Sequence, residues 1–221
     1  MAIFNQIHPR REQDLAVDPT IRAASVMQYP PANAVDLETL ADHVAEILKQ
    51  LLTEFDLADM EDLVSFWHAK GVNLALAAPV VQQCIESMNH LRTMILPHET
   101  DWHSKMTRYL LQNSARPLEI NANSTMSDFT NQFCGRNVRW ETLGIFFAAV
   151  IRATFDVSFF PQLYKTESER HDLRKLATRL NHYSLELCIS LNCLSDIQLV
   201  FQYENFIVRS YMDGDHSKSL S

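Results

Sequence analysis

Glycine is scarce, with four in 221 residues. A fold of many tight chain reversals draws on glycine repeatedly, so an all-β architecture is disfavoured. Long apolar runs are missing too. No stretch of about eighteen consecutive apolar residues occurs, so no membrane-spanning helix is expected. Residues 1–9 are neither basic nor apolar enough for a signal peptide. Cysteine is sparse and scattered at Cys84, Cys134, Cys188 and Cys193, with no Cys-x-x-Cys pair. That pattern argues against a disulfide framework and suits a reducing, intracellular setting. Positive charge is in deficit: 19 Lys and Arg face 27 Asp and Glu, giving a formal charge of −8. Direct nucleic-acid binding relies on cations that neutralise phosphates, so this balance weighs against it. No Gly-x-Ser-x-Gly, glycine-rich phosphate loop or paired-acid helix motif is present, and an enzyme is not expected.

What is present is helical periodicity. Residues 1–35 hold Pro9, Pro19, Pro30 and Pro31 and read as a flexible N-terminal segment. Arg10-Arg11 is too short a basic run for a nuclear-import signal. Residues 36–216 read as an all-α domain, an irregular bundle of seven to eight helices, followed by a tail at 217–221. Asp36 is placed to cap a first helix with the stripe Leu37, Leu40, Val44, Leu48, Leu51 and Phe55. Asp59 opens a shorter second helix carrying Leu63, Phe66 and Trp67, with Gly71 as its stop. Pro79 suits the first turn of a third helix, and Pro97 follows its end. Trp102, Met106, Tyr109 and Leu110 mark a fourth. Thr125 with Asp128, and Thr166 with Glu169, have the spacing of capping boxes. The second box starts a long helix with Leu173, Leu176, Leu180, Tyr183, Leu187 and Leu191 along one side. Ser195 caps the last helix, whose stripe is Leu199, Tyr203, Phe206 and Ser210.

The chain is organised around Phe133 to Arg152. Gly135 gives a turn, Asn137 is placed as the N-cap, and Trp140, Leu143, Phe147 and Val150/Ile151 recur at helical spacing. Ile145, Phe146 and Ala149 lie off that stripe, so this helix is apolar over most of its circumference and belongs in the middle of the bundle. Gly144 costs about 1 kcal/mol against Ala inside a helix, which points to a close approach by a neighbour.

Phe133, Gly135, Arg136, Asn137, Val138, Arg139, Trp140, Glu141, Thr142, Leu143 and Gly144 together resemble the signature segment of the fungal-specific transcription factor domain. That domain is the middle regulatory region found downstream of six-cysteine binuclear zinc clusters. A second segment, Leu199 to Asp215, resembles the same family: Tyr203, Glu204 and Asn205 lie in an apolar helix that closes on a turn at Gly214-Asp215. The resemblance implies a helical regulatory domain acting in the nucleus through protein contacts. It also implies that zinc would belong to a preceding cluster, which this chain lacks, so no cofactor is expected in the chain itself. DNA would be reached only indirectly or through such a cluster. The family domain usually extends beyond the second segment, so the chain is expected to hold only part of it and to leave an apolar face open. Self-association or a protein partner then follows, with the helix at 166–194 as the candidate contact. A different outcome of the same resemblance is a stand-alone interaction module with no transcriptional role.

Other polar clusters have plain explanations. His98, Glu99, Asp101 and His103 straddle a helix start, and two histidines five apart do not share a helical face as metal ligands do at i and i+4. Cys188 and Cys193 would point about 140° apart on a helix. His182 has neither an orienting carboxylate nor a nucleophile in view. Asp213-Gly214-Asp215-His216 lacks the further acids of a calcium loop. Arg139, Glu141, Glu204 and Asn205, by contrast, sit beside apolar stripes on helices expected to be neighbours. An internal pairing of Arg139 or Glu141 with Glu204 or Asn205 is expected.

Overall fold

The computed structural model of the chain describes residues 34–71, 78–95, 101–119, 121, 123–192 and 194–218. Among these residues are eight α-helices: α1 (Ala34–Glu54), α2 (Leu57–His68), α3 (Ala78–Arg92), α4 (Trp102–Ser114), α5 (Met126–Thr130), α6 (Trp140–Asp156), α7 (Glu167–Ser190) and α8 (Asp196–Lys218). A 3-10 turn, Gly135–Asn137, precedes α6. No strand occurs among the described residues; Phe160 and Tyr164 make one isolated bridge. The fold is all-α, as expected. The flexible segment expected at 1–35 lies outside the described residues except for Ala34 and Val35, which open α1. Of the expected tail, Ser217 and Lys218 continue α8 and the rest is outside the described residues.

The core is built on α6. Every residue from Trp140 to Thr154 is buried. Its neighbours are α7 and α8, with α2, α3 and α4 also packed on it, while α1 packs on α7 and α4. A helix enclosed in this way has no solvent side to make polar, which explains its nearly unbroken apolar sequence. Gly144 is where α8 comes closest. A Cβ added there would lie 2.1 Å from Phe201 Cζ, so only glycine lets that ring seat against α6. The connection after α6 is closed by Tyr164, whose hydroxyl donates to the Val157 carbonyl at 2.8 Å. Burial pushes the Tyr164 phenol up to about 12.

Both capping boxes are formed. Thr125 Oγ1 accepts from Asp128 N and the Asp128 carboxylate accepts from Thr125 N; Thr166 and Glu169 repeat the exchange at the start of α7. Gly71, at φ 74°, supplies the left-handed turn after α2. Four helix ends differ from expectation. Helix α1 already begins at Ala34, two residues before Asp36, so Asp36 falls inside its first turn and is not its cap. Asp56, not Asp59, caps α2, its carboxylate accepting from Ala58 N at 2.7 Å; Asp59 falls inside the first turn. Arg139, not Asn137, is the N-cap of α6. Asn137 lies in the 3-10 turn and donates its amide to the Asn131 carbonyl at 2.7 Å, tying the turn back to the segment after α5. Finally, α8 does not stop at the turn expected at Gly214-Asp215 but runs through both residues to Lys218. One interior glycine costs only about 1 kcal/mol and no proline intervenes, so a helix already propagating is not broken there.

Candidate functional site

The polar residues singled out in the sequence assemble into two separate buried clusters, one at each side of α6. The first joins the beginning of α6 to the end of α4. Arg139 and Glu141 form an ion pair, Nη2 to Oε1 at 3.0 Å, with side chains 1% and 2% exposed. The guanidinium also donates to the carbonyls of Ser114 at 2.6 Å and Arg116 at 2.7 Å, groups that the end of α4 leaves without helical partners. Ser114 works in the opposite direction as well. Its hydroxyl donates to Glu141 Oε2 at 2.7 Å and accepts from Trp140 N at 2.9 Å. Arg139, a guanidinium with no acceptor, cannot cap α6 with its own side chain, and a first-turn N–H of that helix is satisfied by another helix instead. Asn113 adds a bond to the Val138 carbonyl at 2.9 Å.

The second cluster joins α6, α7 and α8. Asn181 of α7 donates to the Gly144 carbonyl at 2.8 Å and accepts from the Asn205 amide of α8. Glu204 faces Arg152, Nη1 to Oε2 at 2.9 Å. The Arg152 guanidinium also lies 5.4 Å from the Trp67 ring and 5.7 Å from the Tyr211 ring, within cation–π range. Trp67 Nε1 donates to Asp156 Oδ2 at 2.6 Å. At the far end of α6, Arg174 donates to Thr154 Oγ1 and O, both at 3.0 Å, and stacks on Phe155 at 3.9 Å.

The expected pairing across the two signature segments is thus corrected. Arg139 pairs with Glu141, its neighbour on the same helix start, and Glu204 pairs with Arg152, a residue that the sequence reading passed over. Arg139 sits at the α4 end of α6, whereas Glu204 meets α6 at Arg152, about three and a half turns further along it. Arg152 carries a signal in retrospect: it is the one charged residue within the apolar run Ile145 to Ala153. The two segments do meet, but through Gly144, Phe201, Asn181 and Asn205. Trp140 is fully buried, Tyr203 faces solvent, and Gly135 and Asn137 are exposed, with Gly135 at φ 58°. Gly214 and Asp215 lie within α8.

The outward side of α8 carries an apolar patch among its polar residues Asp196, Arg209 and Ser210. Leu199 is 49% exposed and Phe206 64%, with Tyr203 and Tyr211 on the outside too and Ile189 and Leu194 nearby in the chain. The inward side carries Gln198, Glu204 and Asn205 beside Ile197, Phe201 and Val208. The stripe read from the sequence, Leu199, Tyr203, Phe206 and Ser210, is therefore the outward one. The helix named as the candidate contact, α7, has its stripe occupied: Leu173, Leu176, Leu180 and Leu187 are buried, and α7 packs on α6 and α1.

Among the described residues no group of three or more His, Cys, Asp or Glu is placed to hold a metal ion. His103 instead hydrogen-bonds Glu46 at 3.1 Å, while His98 and Glu99 lie outside the described residues. His182 lies between Arg209, at 2.9 Å from Nδ1, and Glu186, at 3.2 Å from Nε2. That places an orienting carboxylate beside it, contrary to expectation, but on an open helix surface. No helix among the described residues is long and apolar enough to cross a membrane. No family model, curated protein or solved structure matches this chain.

Proposed function

We propose that the chain is a regulatory and interaction domain related to those of fungal transcription factors, contributing to transcription in the nucleus through protein contacts. The observation that carries the contact is the outward face of α8, where Leu199, Tyr203 and Phe206 present apolar surface to solvent. Exposed apolar surface gathered on one helix face marks an interaction site more often than chance exposure. Two features support the kinship. Its two characteristic segments, though some sixty residues apart, are packed on one another through Gly144 and Phe201. Four of their polar residues, Arg139, Glu141, Glu204 and Asn205, are buried as internal braces, which suits a regulatory scaffold. The contact is with a protein partner or a second copy; DNA is reached through such a partner or through a zinc cluster outside this sequence.

Recruiting the chain to an unrelated promoter through a fused DNA-binding domain tests this reading. A change in reporter transcription is expected, and it is lost in a Leu199→Ser/Phe206→Ser variant that still folds. Unaltered transcription on recruitment would overturn the transcriptional reading. An intact α8-dependent contact in that case would favour the second one, a stand-alone interaction module.

A further inference from the structure

A different feature lies beneath the turn that leads into α6. Cys84 of α3 and Cys134 are fifty residues apart in sequence, yet the fold sets their thiols side by side, each altering the other's acidity. The arrangement follows from local geometry. Cys84 and Ser87 are three apart on α3 and so share a helical face. The Ser87 hydroxyl accepts from Gly135 N at 2.9 Å, which holds the 134–135 backbone against that face. From the other side, Cys134 N donates to the Thr130 carbonyl at 2.9 Å. The two sulfurs differ in access: Cys84 is fully enclosed, whereas Cys134 is half-buried and lines a surface cavity of about 340 Å3 with Glu86, Ser87, Thr130, Gly135 and Asn137.

We propose that Cys134 is an oxidant-reactive thiol, open to small peroxides through this cavity, and that Cys84 is the resolving thiol beneath it. Deprotonated Cys134 Sγ attacks one oxygen of hydrogen peroxide. The O–O bond breaks, the departing hydroxide takes up the released proton as water, and the sulfur is left as a sulfenic acid, oxidised by two electrons. Cys84 Sγ then attacks that sulfur. The S–O bond breaks, a second water leaves with the Cys84 proton, and a Cys84–Cys134 disulfide remains. Two thiols and one peroxide give one disulfide and two waters. The acid–base asymmetry runs the same way. The contact with Cys84, aided by Ser87, holds the Cys134 thiol below its ordinary range against the opposing effect of burial. The same contact and burial push Cys84 well above it. Cys188, fully buried and pushed up by its surroundings, serves as an unreactive internal reference. The product would staple α3 to the turn before α6.

The test uses the full chain, dilute hydrogen peroxide, and dimedone to trap sulfenic acid, read by peptide mass mapping. The folded chain is expected to yield the Cys84–Cys134 disulfide, with the dimedone adduct at Cys134 appearing only transiently. In Cys84→Ala that adduct persists and the disulfide is lost. Failure of the folded chain to form the Cys84–Cys134 linkage would overturn the proposal, with no need for the variant. So would equal labelling of Cys134 and Cys188, or the same yield of this linkage from the chain unfolded in urea, since either would show that the folded geometry confers nothing.

Discussion

Helices α6 and α8 lie against each other and follow opposite rules. Along α6 almost everything is apolar and Trp140 to Thr154 are all enclosed, and its few charges are matched at its ends and by α8. On α8 the polar Gln198, Glu204 and Asn205 point inward and Leu199, Tyr203 and Phe206 point outward. The first helix is held by area and fit, which are tolerant of detail and non-directional. The second is placed by directional bonds, Glu204 accepting from Arg152 and Asn205 donating to Asn181, each demanding one partner in one position. Apolar spacing therefore identifies both helices but fixes the orientation of only one.

The comparison can be broken by substitution, and the largest effect belongs to the α4–α6 joint. Arg139→Leu leaves the buried Glu141 carboxylate without its cation and is expected to cost about 3–5 kcal/mol in urea unfolding. Replacing Glu141 with Leu at the same time should recover part of that loss, because burying neither charge costs less than burying one. Single variants that unfold like the parent would show that the pair does not hold the joint. Gly144→Ala is next. Driving a methyl group into Phe201 should cost about 1–3 kcal/mol, and Phe201→Leu added to it should restore some of the stability. A neutral Gly144→Ala would mean that α8 can shift away from α6 at little cost.

The capping boxes come lower. The Glu169 carboxylate is held below its usual range by hydrogen bonds from the backbone of Lys165 and Thr166. Its contribution is therefore present above the usual carboxylate pKa and is lost as pH falls through the lowered value. Melting temperature followed against pH should show this acid-side loss in the parent and a shallower one in Glu169→Gln. Last in stability, and first in function, is the outward face of α8. Leu199→Ser and Phe206→Ser should change unfolding free energy by no more than about 0.5 kcal/mol. They should nonetheless diminish self-association in sedimentation or the binding of a hydrophobic dye. A large loss of stability there would show that these side chains belong to the core after all.

Features that depend on neighbours in the chain were legible. The capping boxes at Thr125 and Thr166, the stop at Gly71, the enclosure of α6 and the all-α class follow from periods and caps a few residues long. The misses share a cause. Asp59 and Asn137 are good cap residues standing one position or more from the real helix start, and the bond that caps α6 comes from Ser114, on another helix. The partner of Glu204 is a tertiary fact, as is the contact of Cys84 with Cys134. On α8 the apolar spacing does not say which way the stripe faces, because the inward side mixes Gln198, Glu204 and Asn205 with Ile197, Phe201 and Val208.

The dual use of Ser114 bears on how the molecule opens. Amides in the first turn of a helix ordinarily exchange with solvent quickly, since nothing in the helix accepts from them and the end frays. Trp140 N is held by a buried hydroxyl whose own helix is in turn held by Arg139. The end of α4 and the start of α6 then cannot fray one at a time. Their amides should exchange together, in a single cooperative opening, at a rate set by the core rather than by the surface.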